Sequence, residues 1–260
     1  MSKDKSTNPK VSIITPVLNS KDTIEQTIKS VVNQTYKKIE YIIIDGGSTD
    51  GTLNVINKYK SKISKIISEQ DNGIFDAMNK GINKATGEIV GIINSDDFYI
   101  NNKVIEKVVK KIEEAKADIC FGDLIYIDKK SEKVVRFWKS SEYIPGKFRY
   151  GWAPPHPSFF VRRKIYRKYG IFNTTFKIAA DYELMLRFLE KYNLKSIYIP
   201  EVLVKMRRGG NSSKNLLNYL GGLKEIYKAW EINNLKTNKF LLLIGKIIFF
   251  INSYFRRAYI

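Results

Sequence analysis

The chain has 260 residues, 43% hydrophobic and 13% aromatic, so it can bury a core of its own and is excluded from the disordered class. Its 45 Lys and Arg against 26 Asp and Glu give a formal charge of +19, which calls for an anionic partner: nucleic acid, an anionic lipid surface or a phosphorylated substrate. The single Cys120 excludes an intrachain disulfide and a cysteine-rich zinc site, and suits a reducing cytoplasm.

Residues 1–10 are rich in Lys, Ser and Asn, lack the apolar stretch of a secretory signal and read as a flexible leader. From Val11 to Asn19 a β-branched run is closed by Pro16 and Asn19, the pattern of a buried strand that ends in a functional loop. Ile24, Ile28, Val31 and Val32 then recur at helical spacing, with Ser20 or Asp22 available as a cap. A second strand from Glu40 to Asp45 runs into the turn Gly46-Gly47-Ser48-Thr49-Asp50-Gly51, and a helix carrying Leu53, Val55 and Ile56 follows. A third strand is expected near Ile63 to Ser68, and Asp71-Asn72-Gly73 opens a helix with Ile74, Ala77, Met78 and Ile82 on one face. Glu88 to Ile93 returns as a fourth strand and ends in Asn94-Ser95-Asp96-Asp97.

Four strand and helix alternations predict an α/β layer with a mainly parallel central sheet, in which ligands bind beyond the carboxyl ends of the strands. Asn19, Asp45, Asp71-Asn72 and Asn94 to Asp97 each follow a strand-like run, so four distant loops are expected to converge on one crevice. Read locally, Asp96-Asp97 is also a common turn or helix cap. In a crevice, carboxylate oxygens are the ligands that Mg²⁺ or Mn²⁺ prefers, the remaining positions being completed by phosphate and water.

Together the segments from Ile13 to Asn19 and from Asp45 to Thr52, with Asn94 to Asp97 and Ala180-Asp181-Tyr182-Glu183, resemble family 2 glycosyltransferases of the Rossmann-like GT-A fold, in the family's order and over roughly residues 11 to 208. The resemblance implies an inverting transfer of sugar from a nucleotide diphosphate donor, expected to be a UDP-sugar. It also implies that Pro16, Asn19 and Asp45 hold the nucleoside, that Asp71, Asn72 and Gly73 close over base or ribose, and that Asp96 carries the Mg²⁺ or Mn²⁺ on the pyrophosphate, with Asp97 beside it and Asn94 and Ser95 on the donor. Two positions depart from the family's usual pattern. Gly46 stands where the second Asp of Asp-Asp-Gly-Ser-Thr-Asp is common, and Asn94 stands at the first position of Asp-x-Asp.

Inversion needs a base for the acceptor hydroxyl, and Asp181 matches the acidic residue of the family at that place; Glu183 is held in reserve on the acceptor side. Locally, Asp181 could equally be a helix N-cap. His156 lies in the Pro- and aromatic-rich segment from Trp152 to Phe160, a shaped loop in which His156 either meets metal, phosphate or acceptor, or is a structural histidine. Trp152 could stack on an acceptor sugar or simply pack, and Arg207, beside Arg208 and the glycines 209–210, offers a guanidinium to pyrophosphate or is an exposed basic loop.

Residues 209–260 are expected to form C-terminal amphipathic basic helices; from Val204 onward there are eleven Lys and Arg against Glu225 and Glu231. The apolar run Phe240 to Ile251 falls short of the roughly 20 residues that span a bilayer. Lys239, Lys246, Ser253 and Arg257 fall on one helical stripe, expected to stay in water while the remaining surface meets an anionic membrane, the chain's own core or a twin subunit. A peripheral enzyme at the inner face of the cell membrane, acting on a glycan or lipid-linked acceptor, follows from that reading. Two other classes are weaker. A sugar-phosphate nucleotidyltransferase wants a Gly- and Arg-containing loop after strand one, where Pro16 to Asn19 stand, and the long aliphatics in the basic tail argue against nucleic-acid binding.

Overall fold

The computed structural model describes residues 8–209 and 216–255. In chain order the elements are β1 (Val11–Val17), α1 (Ile24–Val32), β2 (Ile39–Asp45), α2 (Thr52–Asn57), β3 (Lys65–Ser68), α3 (Ile74–Lys84), β4 (Ile89–Ile92), β5 (Phe98–Tyr99), α4 (Val104–Ala115), β6 (Ile119–Ile127), β7 (Val134–Trp138), β8 (Phe160–Arg162), α5 (Arg163–Tyr169), α6 (Ala180–Leu186), β9 (Ser196–Arg207), α7 (Leu216–Ile232) and α8 (Lys239–Phe255). The sheet runs β3-β2-β1-β4-β8-β6-β9-β5, with β7 paired to β6. Its first half is parallel, as the alternation predicts, and β8 then runs antiparallel to both β4 and β6.

All seven residues of β1 are buried because helices cover both faces of the sheet, which is why Ile13 and Ile14 stand side by side rather than alternating with exposed polar residues. Successive side chains go to opposite cores. Ile14 packs with Met78 and Ile82 of α3, whereas Val11 and Ile13 pack with α1 and α4. The parallel register aligns Val17 with Asp45 and Asp45 with Ser68, so these strand ends open on one edge. At the other end Glu40 is buried and accepts from Ser12, Lys65 and Thr86, fastening β1, β2, β3 and the approach to β4.

Of the expected leader, residues 1–7 lie outside the described residues. Its final residues are tied down: the Tyr36 hydroxyl donates to the Pro9 carbonyl, and Lys38 donates to that of Asn8 at 3.0 Å.

The helices after residue 208 share the core of the sheet domain. Ala229 and Trp230 of α7 and Leu242 of α8 lie in the same cluster as Ile14 and Ile42, and the Trp230 indole donates to the buried Tyr182 hydroxyl at 3.0 Å. Burying side chains such as Trp230 and Leu242 contributes about 1.5–3 kcal/mol each, enough to fix both helices on the domain.

The polar stripe of α8 faces opposite to expectation. Ser253 is 3% exposed and accepts from Arg136 at 2.6 Å, and the Lys246 ammonium lies 4.9 Å over the Tyr182 ring, while Phe240, Leu241, Ile247, Ile248, Phe250 and Ile251 face outward. The reason is steric and electrostatic. Gly245 meets the Tyr150 carbonyl and Gly151 meets the Lys246 amide so closely that neither glycine has room for a Cβ. That face seats on the Lys147–Tyr150 turn, where Lys246 meets the Tyr182 ring and Ser253 meets Arg136. Lys239 stays on the surface, and Arg257 lies outside the described residues. Among the described residues no helix is long and apolar enough to cross a membrane.

Candidate functional site

The loops after β1 and β2 are stitched together by short polar side chains. Asn19 adopts a left-handed backbone (φ 47°), its side-chain carbonyl accepts from the Thr49 amide at 2.9 Å, and its own amide donates to the Ser48 hydroxyl at 2.9 Å. Asn and Asp tolerate this conformation better than other non-glycine residues. Pro16 is buried within β1. Asp45 is wholly buried, and its carboxylate takes the amides of Gly47 and Ser48 and the Ser68 hydroxyl. Those bonds make Asp45 the builder of the turn that follows β2.

Gly46 has a specific occupant beside it. A Cβ at this position would sit 2.3 Å from Asp71 Oδ2. Asp71 Oδ1 meanwhile accepts from the Gly73 amide at 2.8 Å, which holds the carboxylate against the Gly46 backbone. Gly46 and Asp71 are therefore one feature: the carboxylate missing after Asp45 is supplied from the loop before α3. Asn72 donates its amide to Asp76 at 3.0 Å, and Gly73, at φ 112°, starts α3 with open space around it.

The loop after β4 divides its acids. Asp96 is half-buried, and desolvation pushes its carboxyl up, opposed by the positive charges of Arg207 and Lys129 and by His156. Asp97 is fully buried, pushed well up by burial and then by the Asp96 charge, with the Asn94 amide donating at 3.3 Å. Asp97 is thus corrected from a metal ligand to a group beneath the loop, since its carboxyl has no access to the crevice. Ser95 is hydrogen-bonded to Ser20 at 2.8 Å, linking the loops after β1 and β4.

Arg207 also departs from expectation. It is 7% exposed, donates to the Asp96 carbonyl at 2.6 Å and to Gln26, lies 5.0 Å over the Phe98 ring, and comes within 3.4 Å of Glu132. A guanidinium committed in this way braces the Asp96 loop and is not available to pyrophosphate. The 210–212 part of the expected basic loop lies outside the described residues.

Asp181 stands in the first turn of α6, with Ala179 as the cap residue, so it is not the N-cap itself. His156 lies on a 3₁₀ turn, His156–Ser158, that the Ser158 hydroxyl fastens to Gly122 of β6 at 2.8 Å. This turn brings His156 Nδ1 to 3.1 Å from Asp181 Oδ2. His156 and Asp181 line one cleft with Met78, Ile92, Phe159 and Tyr166.

What fixes the start of α6 was not visible in the local sequence: Glu225 of α7 accepts the amides of Lys177, Ile178 and Ala179, each at 2.8 Å. A carboxylate beside a helix N-terminus takes up donors that would otherwise be unpaired.

Two acceptor-side residues are corrected to structural ones. Glu183 is 2% exposed, with its carboxylate held by Arg187 at 2.9 and 3.0 Å and by Asn233 at 2.9 Å. Trp152 is 7% exposed and packs edge-on to Phe148 and Phe121, against Tyr143 and under Lys147, leaving no free face for a sugar.

Among the described residues no three His, Cys, Asp or Glu side chains are grouped to hold a metal ion. A single half-buried carboxylate, Asp96, is compatible with Mg²⁺ or Mn²⁺, which binds through one or two carboxylates with substrate oxygens completing the set.

The family described as "Glycosyl transferase family 2" matches residues 12–180. A PGL/p-HBAD biosynthesis glycosyltransferase of Mycobacterium bovis is 26% identical over 214 residues, covering 81% of each chain. Among solved structures, S. aureus TarS 1–349 in complex with UDP-GlcNAc superposes with a TM-score of 0.65 at 18% identity, over 95% of this chain and 72% of that one. The mannosyltransferase PcManGT from Pyrobaculum calidifontis, in complex with GDP-Man and Mn²⁺, gives 0.65 at 17% identity over the same shares.

Proposed function

The chain belongs to glycosyl transferase family 2 and has the GT-A fold, and from that premise we propose that it is an inverting enzyme that moves a sugar from a UDP-sugar to a hydroxyl of a lipid-linked or surface glycan. The observation that carries the reading is the Asp181 carboxylate 3.1 Å from His156 Nδ1, in a cleft that the two share with Met78, Ile92, Phe159 and Tyr166.

In this reading the nucleoside lies along the edge formed by Pro16, Asn19 and the Gly46–Asp71 pair, with Asn72 and Gly73 beside it and Ser95 holding the neighbouring loops together. Asp96 would hold Mg²⁺ or Mn²⁺, which when bound neutralises charge developing on the departing diphosphate. Asp181 takes the proton of the acceptor hydroxyl as its oxygen attacks the anomeric carbon from the face opposite the diphosphate. The His156 ring fixes the orientation of that carboxylate. UDP-GlcNAc on a neighbour of the same fold supports a UDP donor, and the outward apolar face of α8 supports work at an anionic membrane surface.

A hydrolysis screen of UDP-, GDP- and dTDP-sugars with Mg²⁺ or Mn²⁺ tests the proposal. Asp96→Ala is expected to lose metal-dependent donor binding, whereas Asp181→Asn keeps binding and loses transfer. Full transfer by Asp181→Asn would refute the base assignment.

A further inference from the structure

We propose that the cleft beside Asp181 is a methyl-binding subsite: it receives one methyl group of the acceptor sugar, a deoxy or an acetamido methyl, and so selects acceptors that carry it beside the reacting hydroxyl. This rests on the reading of Asp181 as the base, because the sugar that shares a cleft with the base is the acceptor.

The cleft has a polar mouth and an apolar wall. His156 and Asp181, whose side chains are 27% and 24% exposed, are its charged or polar members at the surface. The wall includes Met78 of α3, Ile92 of β4, Phe159, Tyr166 of α5, Phe172 and Met185 of α6, and all of these but Ile92 are buried. The space has a volume of about 20 Å³, room for a single water-sized group.

A water held in such a place needs roughly two to four polar partners. Here the polar atoms are engaged with one another: His156 Nδ1 lies 3.1 Å from Asp181 Oδ2, and Asp181 Oδ1 accepts from the Tyr182 amide at 2.8 Å. A methyl group needs no partner and gains dispersion contact with every wall. Each carboxylate oxygen keeps a further lone pair, so an acceptor hydroxyl can reach Asp181 while the neighbouring methyl lies inside.

The wall is held in place from outside the cleft. Asn79 of α3 donates to the Phe172 carbonyl and accepts from the Phe172 amide, both at 2.9 Å, which fastens that loop residue to α3. The Phe172 ring stacks on Phe75 at 5.7 Å, Phe159 stacks on Phe121 at 6.2 Å, and Tyr166 meets Phe188 edge-on at 5.7 Å. Rings engaged in this way resist collapse into the space. Met78 and Met185 are the adaptable members, since an unbranched thioether settles around a small guest. In an apolar pocket of set size, one methylene more or less changes discrimination by roughly 10- to 200-fold.

The test uses the full chain with UDP and Mg²⁺ and follows the ring signals of His156, the chain's one histidine, by NMR. The probes are two pairs of methyl glycosides: N-acetyl against N-formyl glucosaminide, which differ by one methyl, and fucoside against galactoside, which differ by methyl against hydroxymethyl. In one pair the methyl-bearing member is expected to shift His156 saturably and to bind about 10-fold or more tighter than its partner. The pair that responds tells an acetamido from a deoxy methyl. Ile92→Phe fills the space and is expected to erase the difference, whereas Ile92→Val enlarges it and is expected to admit the ethyl homologue that wild type rejects. UDP titration checks that both variants are folded, and if Ile92→Phe is not, Ile92→Val decides. Equal shifts within both pairs, or no saturable shift from any of the four glycosides, overturns the proposal. A cleft that told UDP-GlcNAc from UDP-glucose and ignored the glycosides would overturn the assignment to the acceptor. Full transfer by Asp181→Asn, with the glycosides still discriminated, refutes the base reading alone; an inactive Asp181→Asn with no discrimination refutes the methyl subsite alone.

Discussion

Replacing Gly46 by Ala tests how the nucleoside edge is built. The added Cβ would lie 2.3 Å from Asp71 Oδ2, so the carboxylate must retreat by roughly 1 Å to reach an ordinary contact. The movement works against the hydrogen bond from the Gly73 amide to Asp71 Oδ1 at 2.8 Å. Gly46 has no left-handed φ, so the backbone accepts Ala without strain, and the displaced atom is the end of a side chain facing solvent on one side. The cost to folding is therefore about one weakened hydrogen bond, around 0.5–1.5 kcal/mol. If the Asp71 carboxylate meets the nucleoside through a charge-assisted bond, the loss on binding is about 1.5–3 kcal/mol, which is roughly 10- to 150-fold in Kd. Calorimetric titration of UDP against wild type, Gly46→Ala, Asp71→Ala and the double variant gives the coupling. Near-equal losses in all three variants are expected, since each removes the same carboxylate. Fully additive losses would refute the idea that Gly46 and Asp71 form one device.

Glu40 predicts an acid-labile strand bottom. Burial alone would raise this carboxyl, but the Ser12 hydroxyl, Thr86 and Lys65 hold it down to about 2, so its contribution is complete above the ordinary value of 4.5 and is lost as pH falls toward 2. Glu40→Gln should cost about 2–3 kcal/mol in urea unfolding at pH 7 and much less near pH 2. Glu225→Gln removes charge from the carboxylate that takes three amides, and should slow transfer with nucleotide affinity intact at a cost near 1–2 kcal/mol; unchanged kcat would sever α7 from the site. Deletion from Asn238 onward is expected to release the protein from anionic liposomes in a flotation assay while UDP binding survives, and unchanged flotation would rule out α8 as the anchor.

The parallel half of the sheet was legible because it is written in local patterns. β1, β2 and β4 are short strands rich in Val and Ile, α1 and α3 carry helical periodicity, and the polar clusters fall at their ends. The meeting of Asn19, Asp45, Asp71 and the Asn94–Asp97 loop followed from the topology rule alone. The antiparallel insertions were not legible, since β8 contributes three residues and β5 two, too few for any period to show.

At the site, residue type suggested chemistry but not burial. Glu183, Trp152, Asp97 and Arg207 all have suitable chemistry, and each is engaged or buried by partners far away in sequence, such as Asn233 for Glu183 and Gln26 for Arg207. The tail was misjudged for a related reason. Helical spacing groups Lys246 with Ser253 but cannot say which face meets the domain, and the two glycines that decide it, Gly151 and Gly245, are far apart in the chain and meet only in the fold.

The carboxylate of Glu225 has a consequence for the timing of synthesis. A growing chain that has exposed its first 208 residues already owns the strands and Asp181, but the three amides ahead of α6 still await their acceptor. Domains fold as they leave the ribosome from the N-terminal end, so this one can assemble most of its sheet before the start of α6 is set. On the proposed reading, a product truncated at residue 208 would keep the nucleotide edge and lack a fixed Asp181.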